Sequence, residues 1–455
     1  MCSTLFAMPI VRFLTLALLF GISSTSLPAL ERQPNAVYQA RRETLARELH
    51  GGVALLFGNY EPPMEYQDFR QDEDFYYLTG WNEPGAALII ADAAPARAGK
   101  PAFPYREVLY LPERNLRAEQ YTGVKLDAAS PNVTGITGVR EVRSIRDLPA
   151  ILSERGLRSI WAQIDNPHAK DALGFTQSTV GSGEEVAVQD VRDLTKPLRS
   201  IKDPGEIELL RKAADASIKA QTAAILAIHP GVNERAISGV ITGTLLANGC
   251  ERPSYPSIVG SGMNATVLHY SADDANMQSG GLVVMDAAGE YSMYASDVTR
   301  TVPVNGHFTN RQREIYNIVL GAQRAAAAAF VSGKSTLYNR EHPENSLDSV
   351  ARAYIRTHGK DLHGQPLDKY FIHGLGHSVG IDVHDPMDYS KPLGPGSVFT
   401  IEPGIYIPEE KIGVRIEDTF YVDKDGKLQD FIVGLPHTAE EIEALMQKGR
   451  TEKQH

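Results

Sequence analysis

The chain has 455 residues, with 45 lysines and arginines against 56 aspartates and glutamates, for a formal net charge of −11. The length allows two or three domains. The acidic balance, without a Lys/Arg-rich block or interleaved aromatic and basic residues, argues against nucleic acid as a partner, and two cysteines, Cys2 and Cys250, are too few for an intrachain disulfide framework.

The first stretch differs from the rest. Arg12 precedes an apolar run over 13–22, followed by the small-residue stretch SSTSLPA. This is the layout of a secretory signal peptide, so 1–29 is assigned as one, with cleavage expected near Ser26 to Ala29. A start at Met8 would give a more compact signal, and an uncleaved anchor is the alternative. The run is short for a bilayer, and no other stretch approaches about 18 continuous apolar residues, so no stable membrane insertion is expected. A periplasmic or secreted address in a bacterium fits, with Cys250 left as a single thiol.

Residues 34–198 read as an N-terminal α/β domain. A helix is predicted over 36–50, stopped by Gly51-Gly52, then a strand over 53–57. QDEDFYYLTGWNEPG reads as a polar loop and an aromatic segment. Strands follow at AALIIAD, 108–111 and 159–164, with a helix over 147–155 between them. A boundary is placed near 194–202, and 199–447 is assigned to a second domain. There Asp203, Pro204 and Glu206 open a long helix as N-cap, N1 and N3, ending at His229-Pro230-Gly231. A second helix runs from Asn233 to Asn248-Gly249, and others cover 310–332 and 347–358. FIHGLGHSVGIDVHD, SVFTIEPGIYIP and GVRIEDTFYV read as three β-like segments dense in polar residues, and Thr438 with Glu441 caps the last helix. A helix–hairpin duplication within 200–435 is conceivable, because carboxylates recur on paired strands in both halves.

The chemistry centres on VVMDAAGEYSMYASDVTR, 283–300, read as a β-hairpin carrying Asp286 and Asp297. Buried carboxylates need partners that offset their desolvation, and a divalent metal serves two at once. His377, Glu402 and Glu417, each in an apolar or glycine-rich segment, complete a hard, oxygen-rich donor set. That set suits Mn²⁺, Co²⁺ or Zn²⁺ and is unlike a Cys-rich structural site. Five ligands are too many for one catalytic zinc and suit two ions about 3.5–4 Å apart that share carboxylates and a hydroxide nucleophile. Any one of these residues alone would read as a turn former or a solvated acid; the set carries the argument.

MDAAGEYSMYASDVTRT, HGLGHSVGIDVHD, TIEPGIYIP and GVRIEDT resemble the motif set of the pita-bread metallopeptidases, in the Xaa-Pro aminopeptidase (aminopeptidase P) and prolidase branch. The resemblance is strong over 200–445 and extends through DEDFYYLTGWNEPGAALII to that branch's creatinase-like N-terminal domain. It implies an α+β fold, a pita-bread catalytic domain behind an N-terminal α/β domain. It implies two divalent ions, manganese foremost, with cobalt or zinc as alternatives. Asp286 and Asp297 would bind one ion, Asp297 bridging to the second; His377 would bind the second; Glu402 and Glu417 would bridge or complete the set. Glu402 is the implied general base, and a hydroxide shared by the ions the nucleophile. His269, His373 and His384 match histidines that contact substrate and stabilise the developing oxyanion, though His373 and His384 would also serve to hold loops. Arg415 would orient Glu417 or Asp297 or contact substrate, and Tyr406 occupies a substrate-contacting position. Trp81 reads as local core or as a cap over a neighbouring subunit's site. Ala288 and Gly281 depart from the family pattern without touching a ligand. The implied substrates are peptides with proline second, cut at the N-terminal Xaa-Pro bond by a homo-oligomer, dimer or tetramer. A dipeptidase (prolidase) and a non-catalytic peptide-binding module are the alternatives.

Overall fold

The computed structural model describes residues 30–62, 68–91, 106–149, 159–179 and 187–452. The segment assigned as a signal peptide, and all but the first residues of the helix expected over 147–155, lie outside these. Residues from Arg32 onward form one compact unit.

Its first part is a mixed six-stranded sheet in the order β4-β3-β2-β1-β5-β6. The strands are β1 (Val53–Phe57), β2 (Ala87–Ala91), β3 (Arg106–Leu111), β4 (Glu141–Ser144), β5 (Ser159–Ala162) and β6 (Ala187–Asp190). β1 and β2 are buried along their whole length, so they read as continuous apolar runs instead of alternating ones. The helix Asn35–Glu48 lies where expected. The aromatic segment, given no element in the sequence, is a short helix, Glu73–Thr79, capped by the Asp72 side chain on Phe75 N–H and closed by Gly80 in the left-handed region. Trp81 is 5 % exposed and packs in the core of this part, as the local-core reading has it. The stretch at 194–202 is no loose linker, because Arg192–Arg199 is a helix.

The second part begins with the helix Pro204–Ala227, whose Asp203–Glu206 capping box is formed, followed by Glu234–Ala247 under Asn233. Then come β7 (Arg252–Pro253), β8 (Ile258–Ser261), β9 (Leu282–Asp286), β10 (Gly289–Tyr291), β11 (Tyr294–Ala295) and β12 (Thr299–Pro303). The hairpin read over 283–300 is split. β9 and β12 pair in one sheet with β8, while β10 and β11 leave it to pair with β7. Asp286 ends β9 opposite Thr299, and Asp297 precedes β12 and is not on a strand. Ala288 and Gly281 leave the pairing intact, their carbonyls accepting from Ser254 N and Val304 N at 2.9 Å each.

After the helices Asn310–Ala328 and Leu347–His358 come β13 (Val398–Ile401), β14 (Gly404–Ile407), β15 (Ile412–Arg415), β16 (Asp418–Val422) and β17 (Leu428–Asp430). FIHGLGHSVGIDVHD is not a strand: among the described residues it forms one isolated bridge, from Ser378 to Phe399, with further backbone bonds to β11 and β13. Gly376 is needed there, because a Cβ would collide with the carbonyl of Thr400. The last helix, Ala439–Glu452, has its Thr438–Glu441 box.

The two halves of this part are built alike. Asp286 and Glu402 stand at the ends of β9 and β13, and Asp297 and Glu417 precede β12 and β16. A buried glutamine serves each half. Gln221 Nε2 donates to the carbonyls of Ala287 (2.9 Å) and Val298 (3.2 Å), and Gln323 Nε2 to Ile401 O (3.2 Å) and Asp418 Oδ2 (2.8 Å). The bridge Thr299–Glu417 joins the halves. Gln221→Leu is expected to remove the side-chain donor from the Ala287 carbonyl, while Val298 O keeps the Ala287 N–H at 3.3 Å, and to cost about 1–3 kcal/mol, read as a lowered urea midpoint; an unchanged midpoint would show that the glutamine is dispensable.

Candidate metal centre

Nine of the ten residues singled out in the sequence line one cavity of about 640 Å³: His269, Asp286, Asp297, His373, His377, His384, Glu402, Arg415 and Glu417. Tyr406 is the tenth. It is 3 % exposed and lies behind the wall, reaching the site through Arg415 and His373.

The donor atoms converge. Ligand atoms of Asp297, His377 and Glu417 lie within 4.8 Å of one another. His377 Nε2 stands 3.3 Å from Asp297 Oδ2 and 3.5 Å from Glu402 Oε1. Its Nδ1–H donates to Ser378 O at 3.1 Å, which leaves Nε2 for the carboxylate side. The loop is zipped to the end of β13: Thr400 N donates to His377 O, Glu402 N to Leu375 O, and His377 N to Thr400 Oγ1.

Electrostatics test whether divalent metal fits. Four carboxylates face the guanidinium of Arg415, which is committed to Asp286 Oδ2 at 2.6 Å. Burial first, then the charges of Asp297, Glu402 and Asp286, push the Glu417 carboxyl well above its ordinary range. Glu402 is pushed up to about 7 by burial, against His377 and Arg415 and with the help of Asp297 and Asp286. Asp286 is raised by burial, which Arg415 opposes. Burial lowers His377, but the hydrogen bond and charge of Asp297 and the charge of Glu402 prevail and raise it to about 9. Without a cation, burial and mutual repulsion favour the protonated carboxyls; divalent metal relieves the same repulsion, so the donor set fits it.

Several partners escaped the sequence. Tyr255 Oη donates to Asp286 Oδ1 at 2.7 Å and Asp297 Oδ1 at 2.5 Å, so one phenol spans both aspartates. Thr299 Oγ1 donates to Glu417 Oε2 at 2.6 Å. Neither residue has a spacing or composition signal. Arg415 was assigned to Glu417 or Asp297, but its bonds go to Asp286, to Tyr406 Oη (2.8 Å) and to Thr299 Oγ1 (3.2 Å). β15 ends with Arg415 opposite Gly404 of β14, and the Tyr406 ring lies over that glycine, within reach of the guanidinium.

The three further histidines differ. His373 is neutral, lowered to about 4 by burial and then by the Arg415 charge. Its Nδ1 pairs with Gly374 O and its Nε2 with Tyr406 Oη at 2.9 Å, so both nitrogens are engaged. The rings of His269 and His384 have no hydrogen bond among the described residues and stand at the exposed mouth.

Metal entering at neutral pH displaces protons from His377 and Glu402. Its affinity is therefore expected to rise with pH up to about 9, where His377 loses its proton, and to weaken more steeply as pH falls below about 7, where Glu402 takes one up. Calorimetry in two buffers of different ionisation heat reads the protons released; an affinity independent of pH would contradict this assignment. Tyr255→Phe is expected to weaken metal binding about tenfold in the same titration.

Residues 208–424 match the model of metallopeptidase family M24, and 38–160 that of the aminopeptidase P N-terminal domain. The Xaa-Pro aminopeptidase of Escherichia coli is 33 % identical, the alignment covering 91 % of this chain and 98 % of the relative. The Xaa-Pro dipeptidase of Pyrococcus furiosus is 40 % identical over 77 % of this chain and 88 % of its own length. The solved structure of zinc-substituted E. coli aminopeptidase P in complex with product superposes with a TM-score of 0.81 at 30 % identity, covering 92 % of this chain and all of that one. Donor set, two-part architecture and relatives agree: the chain belongs to the M24 metallopeptidases, with the aminopeptidase P N-terminal domain and the pita-bread fold, and is a divalent-metal hydrolase.

Proposed function

We propose that this enzyme removes the first residue of peptides that carry proline second, by hydrolysis of the Xaa-Pro bond. The convergence of Asp297, His377 and Glu417 beside Glu402 carries the reading. The relatedness to Xaa-Pro aminopeptidase over both domains supports it.

Asp286, Asp297, His377, Glu402 and Glu417 would hold two divalent ions, which supply a water of lowered pKa and polarise the scissile carbonyl. Glu402, at the end of the donor set and 3.5 Å from His377 Nε2, is placed to take the water's proton and return it to the prolyl nitrogen. That nitrogen has no N–H in the substrate, so the site needs no acceptor there. Pro256, Ile258, Leu268 and Val383 form an apolar wall that suits the ring. His269 and His384, whose rings make no hydrogen bond among the described residues, face the carbonyl and its oxyanion. His373 is tied to Tyr406 and serves the relay through Arg415 to Asp286.

Manganese is the metal of choice for so oxygen-rich a set, with cobalt and zinc as substitutes. Export to the periplasm or beyond is supported by the apolar run at 13–22 behind Arg12. Among the described residues no helix is long and apolar enough to cross a membrane. We take the working unit to be a homo-oligomer, dimer or tetramer. The dipeptidase reading is kept because of the Pyrococcus relative.

A length series decides between them: hydrolysis of Xaa-Pro-Yaa and longer peptides is expected, and activity confined to Xaa-Pro dipeptides would establish the dipeptidase instead. Glu402→Ala is expected to lower kcat by about 10³-fold, and His377→Ala to abolish activity, both with the fold kept by circular dichroism. Near-full turnover in either would overturn the site. N-terminal sequencing of the mature protein is expected to start near residues 27–30; an intact residue 1 or 8 would rule out cleavage.

A further inference from the structure

The 377–385 loop carries two imidazoles to the cavity without being part of a sheet. His377 is zipped to β13. His384 is not: its nearest ring partner is His377, with centroids 4.0 Å apart, and its ring makes no hydrogen bond among the described residues. Its position therefore depends on the main chain.

The next residue, Asp385, is 1 % exposed and grips that main chain from outside the cavity. Its Oδ1 accepts from Arg199 Nη2 at 2.6 Å and from Asp382 N at 3.1 Å, and its Oδ2 accepts from Lys202 Nζ at 3.0 Å. Asp385 N donates to Ser378 O at 3.0 Å, and Lys202 Nζ reaches Ser378 Oγ at 3.2 Å, so one clamp holds both ends of the loop. The N-terminal sheet domain joins it twice. Arg199 Nη1 donates to Asp74 Oδ1 at 2.9 Å, on the 73–79 helix, and Arg70 Nη2 donates to Ile381 O at 2.7 Å.

We propose that Asp385 is a positioning residue: gripped by Arg199 and Lys202, it sets His384 over the cavity, and the N-terminal domain completes the grip through Asp74 and Arg70. The inference rests on the reading of His384 as a substrate-facing group. A guanidinium fork spans Asp74 and Asp385 together; an ammonium at 199 would serve one and lose its bond to the other. A displacement of about 1 Å at a reacting centre is worth up to about 10²-fold in rate.

The test is a double-mutant cycle on the metal-loaded enzyme. His384→Ala alone is expected to lower kcat/KM by about 10²-fold. Arg199→Lys is expected to lower kcat/KM about tenfold in the wild-type background and less than about twofold in the His384→Ala background. Asp74→Asn, which keeps the Arg199–Asp385 bond, is expected to show a smaller loss that also vanishes without His384, and it carries the cycle if Arg199→Lys does not fold. A purely structural role costs the same in both backgrounds, so equal losses overturn the positioning role while leaving His384 in place. If His384→Ala is fully active, the reading of His384 falls, and the inference with it.

Discussion

Repulsion among four carboxylates in one cavity is the constraint to which the rest of the site answers. Each acid is tied by a neighbouring side chain. Asp286 takes Arg415 and Tyr255, Asp297 shares the same phenol, and Glu417 takes the Thr299 hydroxyl. Glu402 is held most loosely, by Thr400 Oγ1 at 3.3 Å, with His377 at 3.5 Å. The loosely tied acid is the one suited to moving a proton. The tightly tied ones are suited to holding a cation.

The scaffold brings these charges together by placing them at strand ends, where side chains leave the sheet and the backbone stays paired. The halves use the same device: one acid closes the first strand of a pair and another opens the second, with a buried glutamine binding the intervening carbonyls. Such a glutamine satisfies main-chain groups that strand pairing alone leaves open where a metal-binding turn interrupts it. The twin arrangement fits the duplication that recurring carboxylates suggested. The N-terminal domain is bound in through ion pairs, Arg41 to Asp203 and Arg70 to Glu290, and not through a flexible tether.

Local chemistry made much of this legible. The caps at Asp203, Asn233 and Thr438 predicted helix starts because a side chain three residues from its partner acts within one turn. Reading FIHGLGHSVGIDVHD as β-like failed because its alternation of glycine and apolar residues serves close approach to Thr400 and loop packing, not pairing. The 73–79 helix was missed because its seven residues are buried or nearly so, leaving no amphipathic period to read.

By itself the sequence determined the donor set, since carboxylates and an imidazole in apolar, glycine-rich surroundings are costly unless something charged repays them. It determined the helix starts at Asp203, Asn233 and Thr438, where a capping side chain acts within one turn. Only the tertiary structure decided which groups serve which. Tyr255 spans Asp286 and Asp297, Arg415 turns to Asp286, Tyr406 lies behind the wall, and His373 has no nitrogen to spare while His384 does. These are contacts between residues up to 129 positions apart. Their partners are chosen by strand register and by competition for a few hydrogen-bonding atoms, and neither leaves a mark at short range in the chain.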